Sequence, residues 1–128
     1  MTTLIICLFI AILFPYLLKM VVAYFMQKEG RYDNHYPRAQ QARLQGMGAR
    51  AVAAHQNSFE SLLVFATAAL TAMTTKHLGI TIQILAMIYI VSRVIYYYCY
   101  LMDMASSRST AWFVGYVCCL IILGLCMI

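Results

Sequence analysis

The chain has 128 residues, 64% of them hydrophobic and only 10% charged, with a formal net charge of +5. Soluble domains run about 45–50% apolar and about 25% charged, so this composition excludes a water-soluble globule and a disordered segment. A bilayer crossing takes about 20 residues, and four such stretches fill about two thirds of the chain; we expect one all-α membrane domain over 1–128.

The first span covers roughly Leu4–Met26. It lacks a basic leading region and a small-residue cleavage site, so a retained helix is expected rather than a signal peptide. Pro15 removes a backbone donor and predicts a kink. Residues 27–49 are the one long polar stretch, punctuated by Gly30, Asn34, Pro37, Gly46 and Gly48. Pro37 predicts the start of a short surface helix over Arg38–Leu44.

The second span, roughly Arg50–Thr75, is rich in Ala, Ser and Thr; Ala53, Asn57 and Ser61, and later Ala68 and Ala72, recur at four-residue spacing. Small residues so spaced let helix backbones approach closely in lipid, which makes this span a candidate for the centre of an assembly. The third span, roughly Ile80–Leu101, ends in Tyr96, Tyr97, Tyr98 and Tyr100, as suits a headgroup interface. The fourth covers roughly Thr110–Ile128.

Five cysteines lie inside apolar runs with no CxxC spacing, which reads as small buried hydrophobes, with neither a disulfide framework nor a metal site expected. Positive charge beside apolar spans points to membrane topology rather than a nucleic-acid partner. Lys28, Arg31, Arg38, Arg43 and Arg50 lie in or beside the 27–49 loop and Arg108 in the 102–109 loop, against Lys76 alone on the other side. That bias puts both loops in the cytoplasm and both termini outside, in what we expect to be a bacterial inner membrane.

Charge within hydrocarbon costs about 2.5–3.5 kcal/mol per residue on insertion scales, so ionisable residues inside spans mark function by default. Lys19, Glu60 and Arg93 are such residues. At about 1.5 Å per residue they lie roughly 10, 15 and 12 Å from the loop-bearing ends of their helices, at one level of one leaflet. Asn57 and Glu60 fall on one helical stripe, as do Arg93, Tyr96 and Tyr100. A buried Glu60–Arg93 ion pair that only locks helices together is one reading. It leaves His55, Asn57, Tyr100 and Arg108 unexplained at the same level. A basic pocket open to the cytoplasmic face accounts for them all, and suits a small zwitterion with more carboxylates than amines, such as glutathione.

The run from Arg50 to Glu60 (RAVAAHQNSFE) resembles the second-helix signature of the MAPEG family, membrane-associated proteins in eicosanoid and glutathione metabolism. Arg93-Val94 through Tyr100, the Arg108-Ser109 pair, and Asn34-His35-Tyr36-Pro37-Arg38, which looks like the bacterial branch, extend it over nearly the whole chain. The resemblance implies a homotrimer of four-helix subunits, with glutathione as co-substrate between neighbours at the cytoplasmic end. It implies that Asn57, Glu60, Arg93 and Tyr100 bind the tripeptide, that Arg108 activates its thiol, and that Ser109 assists. Arg38, Arg50, His55 and Tyr96 complete the expected binding set. One position departs: Ala53 stands where eukaryotic glutathione-using members carry arginine. Arg50, Arg38 or Lys19 then substitutes, or glutathione binds weakly or not at all.

A thiol reacts as its thiolate, and arginine stays protonated at any working pH. An Arg108 guanidinium beside the sulfur in a partly desolvated site would favour that form, with Ser109 or Tyr100 donating a hydrogen bond. The expected function is a glutathione-dependent transferase or peroxidase acting on lipophilic electrophiles or hydroperoxides that arrive from the surrounding lipid. Two alternatives stand beside it. One is a non-enzymatic MAPEG-like scaffold or lipid-binding protein, towards which Ala53 leans. The other is a small multidrug exporter, which Glu60 in the second span and the charge bias disfavour.

Overall fold

The computed structural model describes all 128 residues and contains five α-helices: α1 (Thr2–Glu29), α2 (Pro37–Arg43), α3 (Gly46–Thr74), α4 (Ile80–Leu101) and α5 (Ala105–Leu125). α1 is apolar all round. Leu4, Cys7, Ala11, Phe14, Leu18, Val22 and Met26 form its buried stripe at three- and four-residue steps. Its other face exposes Ile5, Phe9, Leu13, Tyr16, Leu17 and Met20. A contiguous apolar surface on that scale marks contact with lipid or with another protein surface.

α1, α4 and α5 are each long and apolar enough to cross a bilayer. α3 has the length, but its His, Gln, Asn, Ser and Glu residues lower its hydropathy. It packs along α1 and also against α4 and α5, so the four long helices form one bundle. Small side chains of α3 let its neighbours close in: Ala51, Ala54, Ala68, Ala69 and Ala72 are all fully enclosed.

α4 begins and ends where hydropathy predicts, and α2 starts on Pro37. α3 starts earlier than expected because Gly46 and Gly48 are part of it. A Cβ on Gly48 would lie 3.2 Å from Phe25 and 3.3 Å from Leu44, so this glycine lets three segments close together. α5 also starts earlier, at Ala105, taking Ser106 to Ser109 into its first turns. α1 runs unbroken through Pro15.

The two ends of the bundle differ. At one end lie the long connector, the α4–α5 turn and the start of α3. There Arg50 Nε donates to the Leu101 carbonyl at 3.1 Å, and its guanidinium pairs with Asp103 at 3.9 Å. The connector is latched by the buried Gln40. Its amide nitrogen donates to the carbonyls of Met26 and Arg31, and its oxygen accepts from Asp33 N–H. Asp33 in turn accepts from the N–H groups of His35 and Tyr36. At the opposite end Thr3 Oγ1 donates to Gln83 across α1 and α4 at 2.8 Å, and Gln83 donates to the Leu78 carbonyl.

Candidate functional site

Arg93 sits two turns before the end of α4 and is only 1% exposed. A buried guanidinium requires partners on every side, because an unpaired one is very costly. Tyr96 supplies a ring face at 4.0 Å, Tyr97 another at 4.9 Å and a hydroxyl to Nε at 3.4 Å. Nη2 donates to Asn57 Oδ1 at 2.6 Å. Asn57 then donates from Nδ2 to Glu60 Oε2 at 3.0 Å.

The expected Glu60–Arg93 ion pair is therefore not formed; the one ion pair in the chain is Arg50–Asp103. Asn57, one turn before Glu60, intercepts the cation and passes its polarity on. Both ends of the amide are committed, so Asn57 is fixed and Glu60 is held on the outward face of α3, exposed.

Two adjoining clefts open there. The deeper, about 90 Å³, is lined by Asn57, Glu60, Ser61, Val64, Tyr89, Arg93, Trp112, Tyr116 and Cys119. The shallower, about 200 Å³ and nearer the loop-bearing end, is lined by Asn57, Tyr96, Tyr100, Arg108, Ser109 and Trp112. Asn57 and Trp112 are common to both. Arg108 is half-buried, its guanidinium stacked 4.4 Å over the Tyr100 ring.

A family model described as the MAPEG family matches residues 3–128. The chain belongs to the MAPEG family. No curated protein and no solved structure matches it.

In this MAPEG protein seven of the residues singled out from sequence come together: Asn57, Glu60, Arg93, Tyr96, Tyr100, Arg108 and Ser109 line the two clefts. Three do not. Arg38 and His55 lie in a separate groove of about 370 Å³ between α2 and α3, with Gln41, Gln56 and Phe59. His55 Nδ1 bonds the Pro15 carbonyl at 2.8 Å, and its ring meets Phe59 edge-on. Arg50 is committed to the Leu101 carbonyl and Asp103 at the α3–α4 seam. The single basic pocket expected from sequence is thus divided between two faces of α3.

Several lining residues of this MAPEG site were not singled out from sequence. Trp112, Tyr116 and Cys119 follow Arg108 at helical steps, so the stripe along α5 carried a signal once Arg108 was suspected. Ser61 and Tyr89, whose hydroxyls lie 2.8 Å apart, continue the polar floor. Tyr97 carries Arg93 but lies outside the clefts, against Phe14 of α1.

Proposed function

We propose that this integral membrane protein is a glutathione-dependent transferase or peroxidase, with Arg108 stabilising the thiolate. The observation that carries the reading is the Arg108 guanidinium. It has no hydrogen-bond or ion-pair partner in the chain and lines a cleft beside Ser109 and the fixed Asn57. A half-buried cation with free donors calls for an anion. Lowering a thiol pKa by about two units takes roughly 2.7 kcal/mol of differential stabilisation, within reach of one guanidinium contact at reduced dielectric.

In this reading Glu60 takes the peptide's ammonium and Asn57 fixes its backbone. The thiol proton leaves to water at the loop-bearing end. The sulfur then attacks an electrophilic carbon, displacing its leaving group or opening an activated double bond. Alternatively it attacks the oxygen of a hydroperoxide, breaking the O–O bond so that the alkoxide takes a proton from water and leaves as the alcohol. A second glutathione then converts the resulting sulfenic acid to the disulfide and water. Neither cleft reaches the roughly 300 Å³ of an ordinary small-molecule site, and Glu60 faces outward. Both features favour a site completed by a neighbouring copy in a homotrimer, whose groove between α2 and α3 supplies the Arg38 cation. The same reading makes α3 a fourth span and sets the loop-bearing end in the cytoplasm, with both termini outside.

Arg108→Gln tests it. Turnover with a lipophilic electrophile should fall at least roughly hundredfold, the scale of losing one charge-stabilising group. Glutathione affinity by calorimetry should change little. Full turnover in that variant removes Arg108 from the mechanism. Native mass spectrometry returning only single chains removes the shared site.

One observation favours a second reading. With Ala53 lacking a cation and Arg50 held at the seam, a carboxylate contact is missing. A scaffold that binds glutathione or lipid without turnover would fit, and calorimetric binding with no product in any assay is its signature.

A further inference from the structure

Tyr96 and Tyr100 are one turn apart on α4, their rings edge-to-face with centroids 5.5 Å apart. Arg93 lies over the Tyr96 ring at 4.0 Å, and Arg108 over the Tyr100 ring at 4.4 Å. Two guanidiniums thus cap the ends of a two-ring ladder. The first is buried and hydrogen-bonded to Tyr97 and Asn57. The second, one turn into α5, has no bond to hold it except the ring face.

A long basic side chain near a span end ordinarily extends to the headgroups, where phosphates attract it. Arg108 lies in the first turn of α5. It is nonetheless half-buried at the cleft rather than extended outward. The Tyr100 face supplies the opposing attraction, since an aromatic quadrupole favours a cation lying flat upon it. The Tyr100 hydroxyl has no hydrogen-bond partner within the chain, so nothing in the fold depends on it.

We propose that Tyr100 acts through its ring and not its hydroxyl, as the positioning residue that keeps the Arg108 guanidinium at the cleft. Its catalytic consequence rests on the reading of Arg108 given above; the placement of Arg108 does not. Ser109, the other hydroxyl beside Arg108, is then the donor left for the sulfur.

The test uses the full chain in lipid nanodiscs, without glutathione. Wild type, Tyr100→Phe and Tyr100→Leu are treated with phenylglyoxal, and modification of Arg108 is followed by peptide mass spectrometry. Phe should protect Arg108 as Tyr does. Leu should expose it roughly tenfold, the order of a partly desolvated cation–π contact. Tyr100→Met, similar in volume, repeats the measurement should the Leu variant fail to assemble.

The ultraviolet thiolate band of bound glutathione gives the second readout. Its pH midpoint should be unchanged in Phe and about one unit higher in Leu, each read at saturating glutathione. Equal Arg108 labelling across all the variants overturns the proposal. So does a Phe variant whose midpoint moves as far as that of Leu, since the hydroxyl is then the working part. A wild type that binds no glutathione defeats the proposed activity instead, and labelling still decides what the ring does.

Discussion

At Gly115 one absent methyl group sets how closely α5 approaches α4. A Cβ there would lie 2.6 Å from Ser92 Oγ and 3.6 Å from Arg93 Cδ, inside contact distance for the first. Gly115→Ala should therefore destabilise the bundle by about 1–3 kcal/mol, the ordinary penalty of overpacking. Adding Ser92→Ala removes the obstructing hydroxyl, and thermal unfolding of the double variant should recover most of the loss. Recovery would be absent if Gly115 serves only backbone freedom. Nothing in the sequence distinguishes this glycine from Gly124, which has open space around it. Asn57, Glu60, Arg93 and Arg108 were legible, by contrast, because polar side chains are rare in lipid and therefore conspicuous. Their partners were not. Asn57 standing between Glu60 and Arg93 depends on side-chain reach, which spacing alone leaves open.

Among the elements, α4 was legible to the residue because apolarity and the tyrosine cluster end together. The start of α5 was hidden by Ser106, Ser107 and Arg108, polar residues that read as connector yet complete the helix's first turns. α3 was legible as a helix. Which face meets which neighbour was not, and that is what separates His55 from Asn57, only two positions away.

The connector between α1 and α3 is the element most open to pH. The N–H groups of Tyr36 and His35 bonding to Asp33 hold its carboxyl below the usual range, aided by the charge of Arg43. A carboxyl bonded in its ionised form stabilises local order above its free value, near about 3.9, and that order is lost as pH falls through the lowered value. Amide protection at His35 and Tyr36 should thus persist from neutral pH down past about 4 and vanish only in stronger acid. In Asp33→Asn that acid-dependent step should disappear. A step that survives the substitution would assign it to another group.

For the molecule as a whole, membrane residence and an all-helical bundle followed from composition, since an apolar chain that must satisfy its own backbone has few other options. The division of the candidate site did not follow. Lys19, Glu60 and Arg93 each lie within a long helix. A bundle has several flanks, though, and depth says nothing about azimuth. Lys19, Arg38 and His55 lie towards α1 and α2, whereas Glu60 and Arg108 lie towards α5.

The bundle is also unevenly fastened. Near the clefts, α3, α4 and α5 are bound by a clasp on a carbonyl, a bridging amide and stacked cations. At the remote pole α1 and α4 share a single side-chain hydrogen bond, Thr3 to Gln83, above an apolar core that includes Leu4, Cys7 and Ile82. Warmth should loosen that pole first, so amide exchange ought to quicken around Thr3 and Gln83 well before it does around Arg93. The molecule then resembles a tuning fork gripped at its handle: polar clasps hold one end in register, and oil alone joins the prongs.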